Sequence, residues 1–112
     1  MNLKIFFGEQ DSLNKASYAK WARQMKDFGG MVSFRVASGA DAAMRLTTTT
    51  QVFSLAESLG AVESLIAHPR VMPHASAAGS ELEVPADLVR LSVGIESTRD
   101  ILDDLGQALD RL

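Results

Sequence analysis

Apolar and polar residues alternate from Leu88 to Glu96, and this predicts the strand around which the rest of the chain is arranged. One face would carry Val89, Leu91, Val93 and Ile95, and the other Arg90, Ser92 and Gly94. Arginine is uncommon in mid-strand, because loops and helix surfaces keep a charge in water more easily. We interpret Arg90 as an anchor for an anion, with a carboxylate as the best match to its forked donors. A structural ion pair with Glu57, Glu63 or Glu96 is the alternative, and the pattern does not decide between them.

Upstream of that strand, the periodicity predicts helices and strands in turn. Leu3, Ile5 and Phe7 alternate and would start a strand that Gly8 ends. Helical spacing predicts a helix from Tyr18 to Phe28, followed by Gly29-Gly30 and a strand over 31–36. Ser38 and Asp41 have the form of a capping box, and predict a helix through Leu46 that frays at the threonines 47–50.

The second half of the chain is predicted to hold shorter elements. Short strands are expected at 52–56 and 63–66, on either side of a turn at 57–60. Pro69 and Pro73 exclude a long regular element after them, so an exposed loop is expected from His68 to Pro85. Ser97 and Asp100 form a second capping-box-like start, and an apolar stripe continues as a helix to the C-terminus. This order predicts one α+β domain, a small antiparallel sheet with amphipathic helices on one face and the Arg90 face left open.

Composition narrows the function classes. The chain has 112 residues, a formal net charge of −3 and no cysteine. The net negative charge argues against a nucleic-acid-binding surface and against a basic helix that binds a membrane surface. Without cysteine there is no disulfide framework, thiol nucleophile or Cys-zinc site. No apolar run has the length of a membrane span or a signal peptide, so a cytoplasmic protein is expected.

Catalytic motifs are scarce. His68 and His74 are the two histidines, and we expect them to make local hydrogen bonds in a loop rather than to hold a metal. Asp103-Asp104 is expected to be a solvated face of the last helix rather than a carboxylate pair. No dinucleotide or phosphate-binding glycine motif occurs.

Several segments together resemble one enzyme family. They are Ala56-Glu57-Ser58-Leu59-Gly60, Val62-Glu63-Ser64-Leu65-Ile66, His68-Pro69, His74-Ala75-Ser76 and the strand from Leu88 to Glu96. In this order they resemble the pyridoxal-phosphate enzymes of cysteine and methionine metabolism, which include cystathionine gamma-synthase, cystathionine gamma-lyase, methionine gamma-lyase and the homoserine-ester sulfhydrylases. The resemblance covers residues 14–112 and implies the small C-terminal domain of a fold-type I enzyme, with residues 1–13 poorly matched.

The resemblance also implies roles for particular residues. Arg90 matches the family arginine that binds the substrate α-carboxylate, Ser58 matches a serine next to the substrate, and Glu57 matches a position near the substrate side chain. The large domain that joins pyridoxal phosphate to a lysine is missing, so we expect no catalytic residue, no bound cofactor and no activity from the chain alone. Ala61 and Pro73 depart from the family pattern in the loops.

Two functions from different classes therefore stand. The first is the substrate-side domain of a transsulfuration lyase or transferase, working with a cofactor-binding N-terminal half. The second is an autonomous module that binds amino acids or self-associates without catalysis. Nucleic acid and membranes are not expected as partners of either.

Overall fold

The computed structural model describes residues 3–5, 23, 29–70 and 84–112. The helix predicted from Tyr18 to Phe28 lies outside these residues except for Arg23, and so does His74. The strands are β1 (Leu3–Ile5), β2 (Met31–Val36), β3 (Ser54–Leu55), β4 (Leu65–Ala67) and β5 (Leu88–Ser92), and the helices are α1 (Ala40–Thr49) and α2 (Thr98–Asp110). No helix among the described residues is both long and apolar enough to span a membrane.

The sheet is built outward from the strand that the alternation predicts. The strand order is β1-β2-β5-β4-β3, so β5 lies at its centre. Strand β5 runs antiparallel to both of its neighbours, and β2 is antiparallel to β1. Strands β3 and β4 pair in parallel, which makes the sheet mixed rather than wholly antiparallel. The α+β class is confirmed.

One face of the sheet carries the hydrophobic core. The register places Phe34 opposite Val89, and Leu91 between Val32 and Ile66, all on this face. Helices α1 and α2 pack against it. The buried core consists of Phe34, Val36, Ala42, Ala43, Leu46, Phe53, Ile66, Val89, Leu91, Ile101 and Ala108.

The predicted alternation of the central strand ends earlier than expected. Val89 and Leu91 are buried and Val93 packs against the core, but Ile95 is 82% exposed. The strand ends at Ser92, and the chain then turns so that the Ile95 N–H donates to the Val62 carbonyl at 2.8 Å. The prediction that Ile95 lies in the core is wrong, because period-2 alternation holds only while the backbone stays in the ladder.

The two helices begin differently. Helix α2 is capped as predicted, since the Ser97 hydroxyl accepts from the Asp100 N–H at 3.1 Å. Helix α1 is preceded by Gly39, whose φ of 94° lies in the region that favours glycine, and no side chain caps it. The predicted Ser38 capping box is therefore wrong. The helix also continues through Thr47–Thr49, whose hydroxyls donate back to carbonyls of the preceding turn.

Asp104 ties helix α2 to the segment that leads into β3. Its carboxylate accepts from the backbone N–H groups of Gln51, Val52 and Phe53 at 2.7, 2.8 and 3.0 Å, and from the Gln107 amide at 3.2 Å. Burial acts to raise the pKa of Asp104, but these donors together outweigh it and lower the pKa. Asp104 is 5% exposed, so the expected solvated face is wrong for this residue, whereas Asp103 is exposed.

A second tie closes the far end of β5. The Ser64 hydroxyl accepts from the Gly94 N–H at 2.8 Å and donates to the Glu96 carboxylate at 2.7 Å. The Ser64 N–H donates to the same carboxylate at 2.9 Å. Hydrogen bonds from the Ser64 hydroxyl, then from backbone N–H groups, lower the pKa of Glu96. We call this contact between residues 62–64 and 94–96 the crossing.

Replacing Asp104 by asparagine should lower the free energy of unfolding by about 2 kcal/mol at neutral pH, because an amide nitrogen would face backbone N–H donors. The folded pKa lies below the unfolded value of about 3.9, so the carboxylate stabilises the fold above that value and loses its effect as the pH falls through the folded pKa. Urea unfolding at several pH values measures this: wild-type stability should fall more steeply below about pH 5 than that of Asp104→Asn. The control Asp103→Asn removes an exposed carboxylate 3.9 Å from Arg99 and should cost less than about 0.5 kcal/mol. Equal losses in both variants would contradict the prediction.

Gly94→Ala should destabilise the chain by about 1–3 kcal/mol or more, because backbone atoms would have to move. A Cβ at residue 94 would overlap the Val62 carbonyl oxygen and lie 2.6 Å from the Glu63 carbonyl carbon and 2.7 Å from the Ser64 nitrogen. Gly106→Ala is the matched control, since nothing lies within 4 Å of its Cβ position in helix α2. The control should stabilise by up to about 1 kcal/mol through helix propensity. If the urea midpoints of both variants shifted by the same amount, the crossing would not sterically exclude a side chain at residue 94.

Candidate functional site

The structure brings the three predicted site residues together on the second face of the sheet. Arg90 lies in the middle of β5, with Ser33 of β2 and Ala67 of β4 as its register partners. The segment from Glu57 to Gly60, which we call the β3–β4 loop, lies above this face. Glu57 and Ser58 meet Arg90 through their main-chain carbonyls, while their residues as a whole are exposed.

The Arg90 guanidinium is held by carbonyl groups and not by a carboxylate. Its Nη2 donates to the Glu57 carbonyl oxygen at 3.1 Å and lies 3.5 Å from the Ser58 carbonyl oxygen. Among the described residues no acidic side chain forms an ion pair with it. The considered pairing with Glu96 is not formed, because that carboxylate is held by Ser64 instead.

Donor capacity therefore remains on Arg90. A guanidinium has five N–H donors, and within residues 29–70 and 84–112 the hydrogen bonds of Arg90 come from Nη2 alone. The N–H groups on Nε and Nη1 stay available to a further acceptor. Carbonyl oxygens are dipoles without net charge, so they orient the guanidinium and leave its positive charge uncompensated. Such a group is suited to binding an anion.

A second arginine on the same face shows the contrast. Arg35 of β2 forms an ion pair with Asp87, with Nε and Oδ1 2.6 Å apart. The hydrogen bond that Arg35 donates to the Asp87 carboxylate raises the pKa of Arg35 further. Arg35 therefore forms a structural ion pair, which is the kind of contact that Arg90 lacks among the described residues.

The sequence predicted an open face around Arg90, but the β3–β4 loop covers part of it. The Gly60 N–H donates to the Ser92 hydroxyl at 2.8 Å, and Ser92 is 3% exposed. Gly60 has a φ of +74°, which brings its N–H down toward the sheet at little cost for a residue without a Cβ. Sequence reasoning assigned no role to Ser92, although it shares a face with Arg90 and the loop ends in glycine.

His68 is buried rather than in an exposed loop. It is 4% exposed, and its Nε2 donates to the Ala86 carbonyl. His68 thus forms a hydrogen bond, as expected, but with a residue 18 positions along the chain rather than within a local loop. No group of three or more potential metal-ligating side chains occurs in the described parts of the chain.

The Arg90 site and the described residues from 29 onward do not fit a resident pyridoxal phosphate. The cofactor needs a lysine amine for its linkage to the protein. Residues 29–112, which include the whole Arg90 site, contain no lysine, and the four lysines of the chain all lie within the first 26 residues. The site therefore offers a positive charge and no lysine amine for holding the cofactor.

Known proteins match both the sequence and the fold. The chain is 67% identical to cystathionine gamma-synthase of Mycobacterium tuberculosis (strain ATCC 25618 / H37Rv) over 88 residues, which are 79% of this chain and 23% of that protein. It is 50% identical to cystathionine gamma-lyase of Saccharomyces cerevisiae over 84 residues, 72% of this chain and 21% of that protein. The chain thus spans about a quarter of the length of the curated relatives it matches.

The fold agrees with solved structures of similar proteins. The crystal structure of metB from Corynebacterium glutamicum superimposes with a TM-score of 0.81 at 49% identity, over 99% of this chain and 28% of that one. Cystathionine gamma-lyase from yeast gives a TM-score of 0.61 at 48% identity, over 73% of this chain and 22% of that one. The sequence profile of the family described as Cys/Met metabolism PLP-dependent enzyme matches residues 10–110. The chain belongs to the Cys/Met metabolism family of PLP-dependent enzymes.

Proposed function

We propose that this chain is the substrate-side part of a transsulfuration enzyme, in which Arg90 binds the α-carboxylate of an amino acid. The observation that carries the proposal is the state of the Arg90 guanidinium. It is oriented by two main-chain carbonyls, has no acidic partner among the described residues, and keeps its Nε and Nη1 donors for an incoming acceptor. A fully charged guanidinium with unpaired donors is suited to binding a carboxylate.

Binding the carboxylate would contribute to the reaction by positioning. With the carboxylate fixed, the remaining bonds of the α-carbon take a set orientation, and this converts an unoriented encounter into a near-attack geometry. Pyridoxal phosphate, held by another part of the enzyme, would supply the electron sink. Ser58 and Glu57, which form the first half of the β3–β4 loop, would lie beside the substrate because their carbonyls already meet Arg90.

A cofactor-binding partner would supply the opposite wall of the cleft. The relatives are about four times as long as the matched region, which supports a partner of this kind. The surface next to the β3–β4 loop also supports it. Val62 and Ile95 are 71% and 82% exposed, and they are adjacent because the Ile95 N–H donates to the Val62 carbonyl. Exposed apolar side chains grouped at the edge of a charged site are typical of a contact surface.

The autonomous binding module is a second candidate, and one observation favours it. The contacts that orient Arg90 all come from the chain itself, so the carboxylate-binding half of the site is assembled before any partner arrives. Such a chain would bind free amino acids without turning them over.

Mixing the chain with the cofactor-binding N-terminal part of the Mycobacterium tuberculosis cystathionine gamma-synthase should restore cystathionine formation. Arg90→Ala should reduce that activity by about 100-fold or more, since two charge-assisted hydrogen bonds at about 1.5–3 kcal/mol each would be lost. Arg90→Lys should recover only part of it, because an ammonium group lacks the fork. Arg99→Ala, which removes a mostly exposed arginine from α2, is the control and should match the wild type. A mixture that forms a complex but is indifferent to Arg90→Ala would contradict carboxylate binding, and failure to form a complex would contradict the split-enzyme role.

Calorimetric titration of the chain alone with L-2-aminobutyrate separates the two candidates. If the chain is the substrate-side part of an enzyme, neither this amino acid nor pyridoxal phosphate should produce a measurable heat of binding. Saturable heat from L-2-aminobutyrate, lost in Arg90→Ala and absent with propylamine, which lacks the carboxylate, would establish the autonomous module instead.

A further inference from the structure

The buried hydroxyl of Ser92 lies between the sheet and the β3–β4 loop. Ser92 is 3% exposed and shares a face of β5 with Arg90, two residues away. Its Oγ accepts from the Gly60 N–H at 2.8 Å. Ser92 therefore connects the strand that carries the guanidinium to the loop that contacts it.

Apolar burial does not hold the β3–β4 loop in place. Glu57, Ser58 and Gly60 are exposed, and the Leu59 residue is 55% exposed. A loop with so little buried surface depends on hydrogen bonds for its position.

Two hydrogen bonds fix the ends of this loop. At its start the Ala56 N–H donates to the Ile66 carbonyl at 3.1 Å, which continues the pairing of β3 with β4. At its end the Gly60 N–H donates to Ser92. The carbonyls of Glu57 and Ser58, which receive the Arg90 Nη2, lie between these two points. A shift of the Gly60 end would move both acceptors relative to the guanidinium.

We propose that Ser92 is a positioning residue for the Arg90 site: its hydroxyl holds the Gly60 end of the loop, and the loop carbonyls in turn set the orientation of the guanidinium. The proposal rests on the proposed function, since it deepens the role of Arg90 as the carboxylate-binding group. Ser92 itself is covered by the loop and would not touch the substrate.

The crossing does not replace this contact. Ser64 and Glu96 hold residues 62–64 against 94–96, beyond the end of the loop. They leave the Gly60 N–H to Ser92. Loss of the Ser92 hydroxyl would therefore release the loop while the crossing and the core remain.

The test is NMR spectroscopy of the full ¹⁵N-labelled chain, without ligand or partner. In Ser92→Ala, exchange of the Gly60 amide with water should become about 10-fold faster, which corresponds to a lost hydrogen bond of about 1.4 kcal/mol. The order parameter of the Arg90 Nε–H should fall at the same time. Ser92→Thr keeps the hydroxyl and should keep both signals closer to those of the wild type.

Ser33→Ala is the matched control, because Ser33 lies opposite Arg90 in the register and has no hydrogen bond to the loop among the described residues. It should change neither signal. Urea midpoints are measured for every variant, so that a local loosening is separated from global destabilisation.

Unchanged Gly60 exchange or an unchanged Arg90 order parameter in a folded Ser92→Ala chain would overturn the inference. The same result in Ser33→Ala as in Ser92→Ala would also overturn it. Failure of the proposed function gives a different pattern: Arg90→Ala would keep wild-type activity in the assembled enzyme, while Ser92→Ala would still loosen the loop.

Discussion

The close passage of residues 62–64 past Gly94 is the constraint on which the site depends. Two backbone segments meet there with no space for a Cβ. The Ser64 hydroxyl links the two segments, because it accepts a hydrogen bond from the Gly94 N–H and donates one to the Glu96 carboxylate. The crossing fixes the segment that follows the β3–β4 loop, and the Gly60 end of the loop itself is held by Ser92. The loop can therefore lie over Arg90 without being buried itself.

The crossing and the Asp104 tie follow the same physical rule. Irregular segments carry backbone N–H groups that no ladder satisfies, and a buried unpaired N–H is costly. Asp104 accepts three such groups from residues 51–53, and Glu96 with Ser64 accepts those at Ser64 and Gly94. Carboxylates are effective here because each can accept several bonds at once. The core fixes helices against the sheet, and these polar ties fix the segments that leave it.

Much of the fold could be predicted from the sequence, because its main signals are local. Alternation predicted β2 and β5, and the Ser97 cap with the apolar stripe predicted α2. The errors arose where tertiary contacts override a local pattern. Ile95 continues the alternation but lies beyond the last rung of the ladder, and Ser38 resembles a cap although the chain uses a left-handed Gly39.

The sequence predicted the residues of the site but not the contacts between them. Arg90 was identifiable because a charge in mid-strand is unusual, and the family resemblance added Glu57 and Ser58. Their contact through main-chain carbonyls carries no side-chain signal, so only the fold could show it. Ser92 and Asp104 were missed for a related reason. Each accepts from the backbone of a segment 30 or more residues away, and such partners leave no periodicity in the sequence.

The two arginines on the second face differ in whether their charge is neutralised by an acidic side chain. Arg35 meets a carboxylate, so its charge is compensated within the fold. Arg90 meets carbonyls, which restrict the motion of the guanidinium without cancelling its charge. Orientation without neutralisation is what an anion-binding group requires, since ordering is achieved before binding and the attraction is kept for the ligand. The lack of lysine in residues 29–112 then limits what the site can do alone. Under the proposed function the site would orient a carboxylate, and the group that reacts with the amino acid would come from another part of the enzyme.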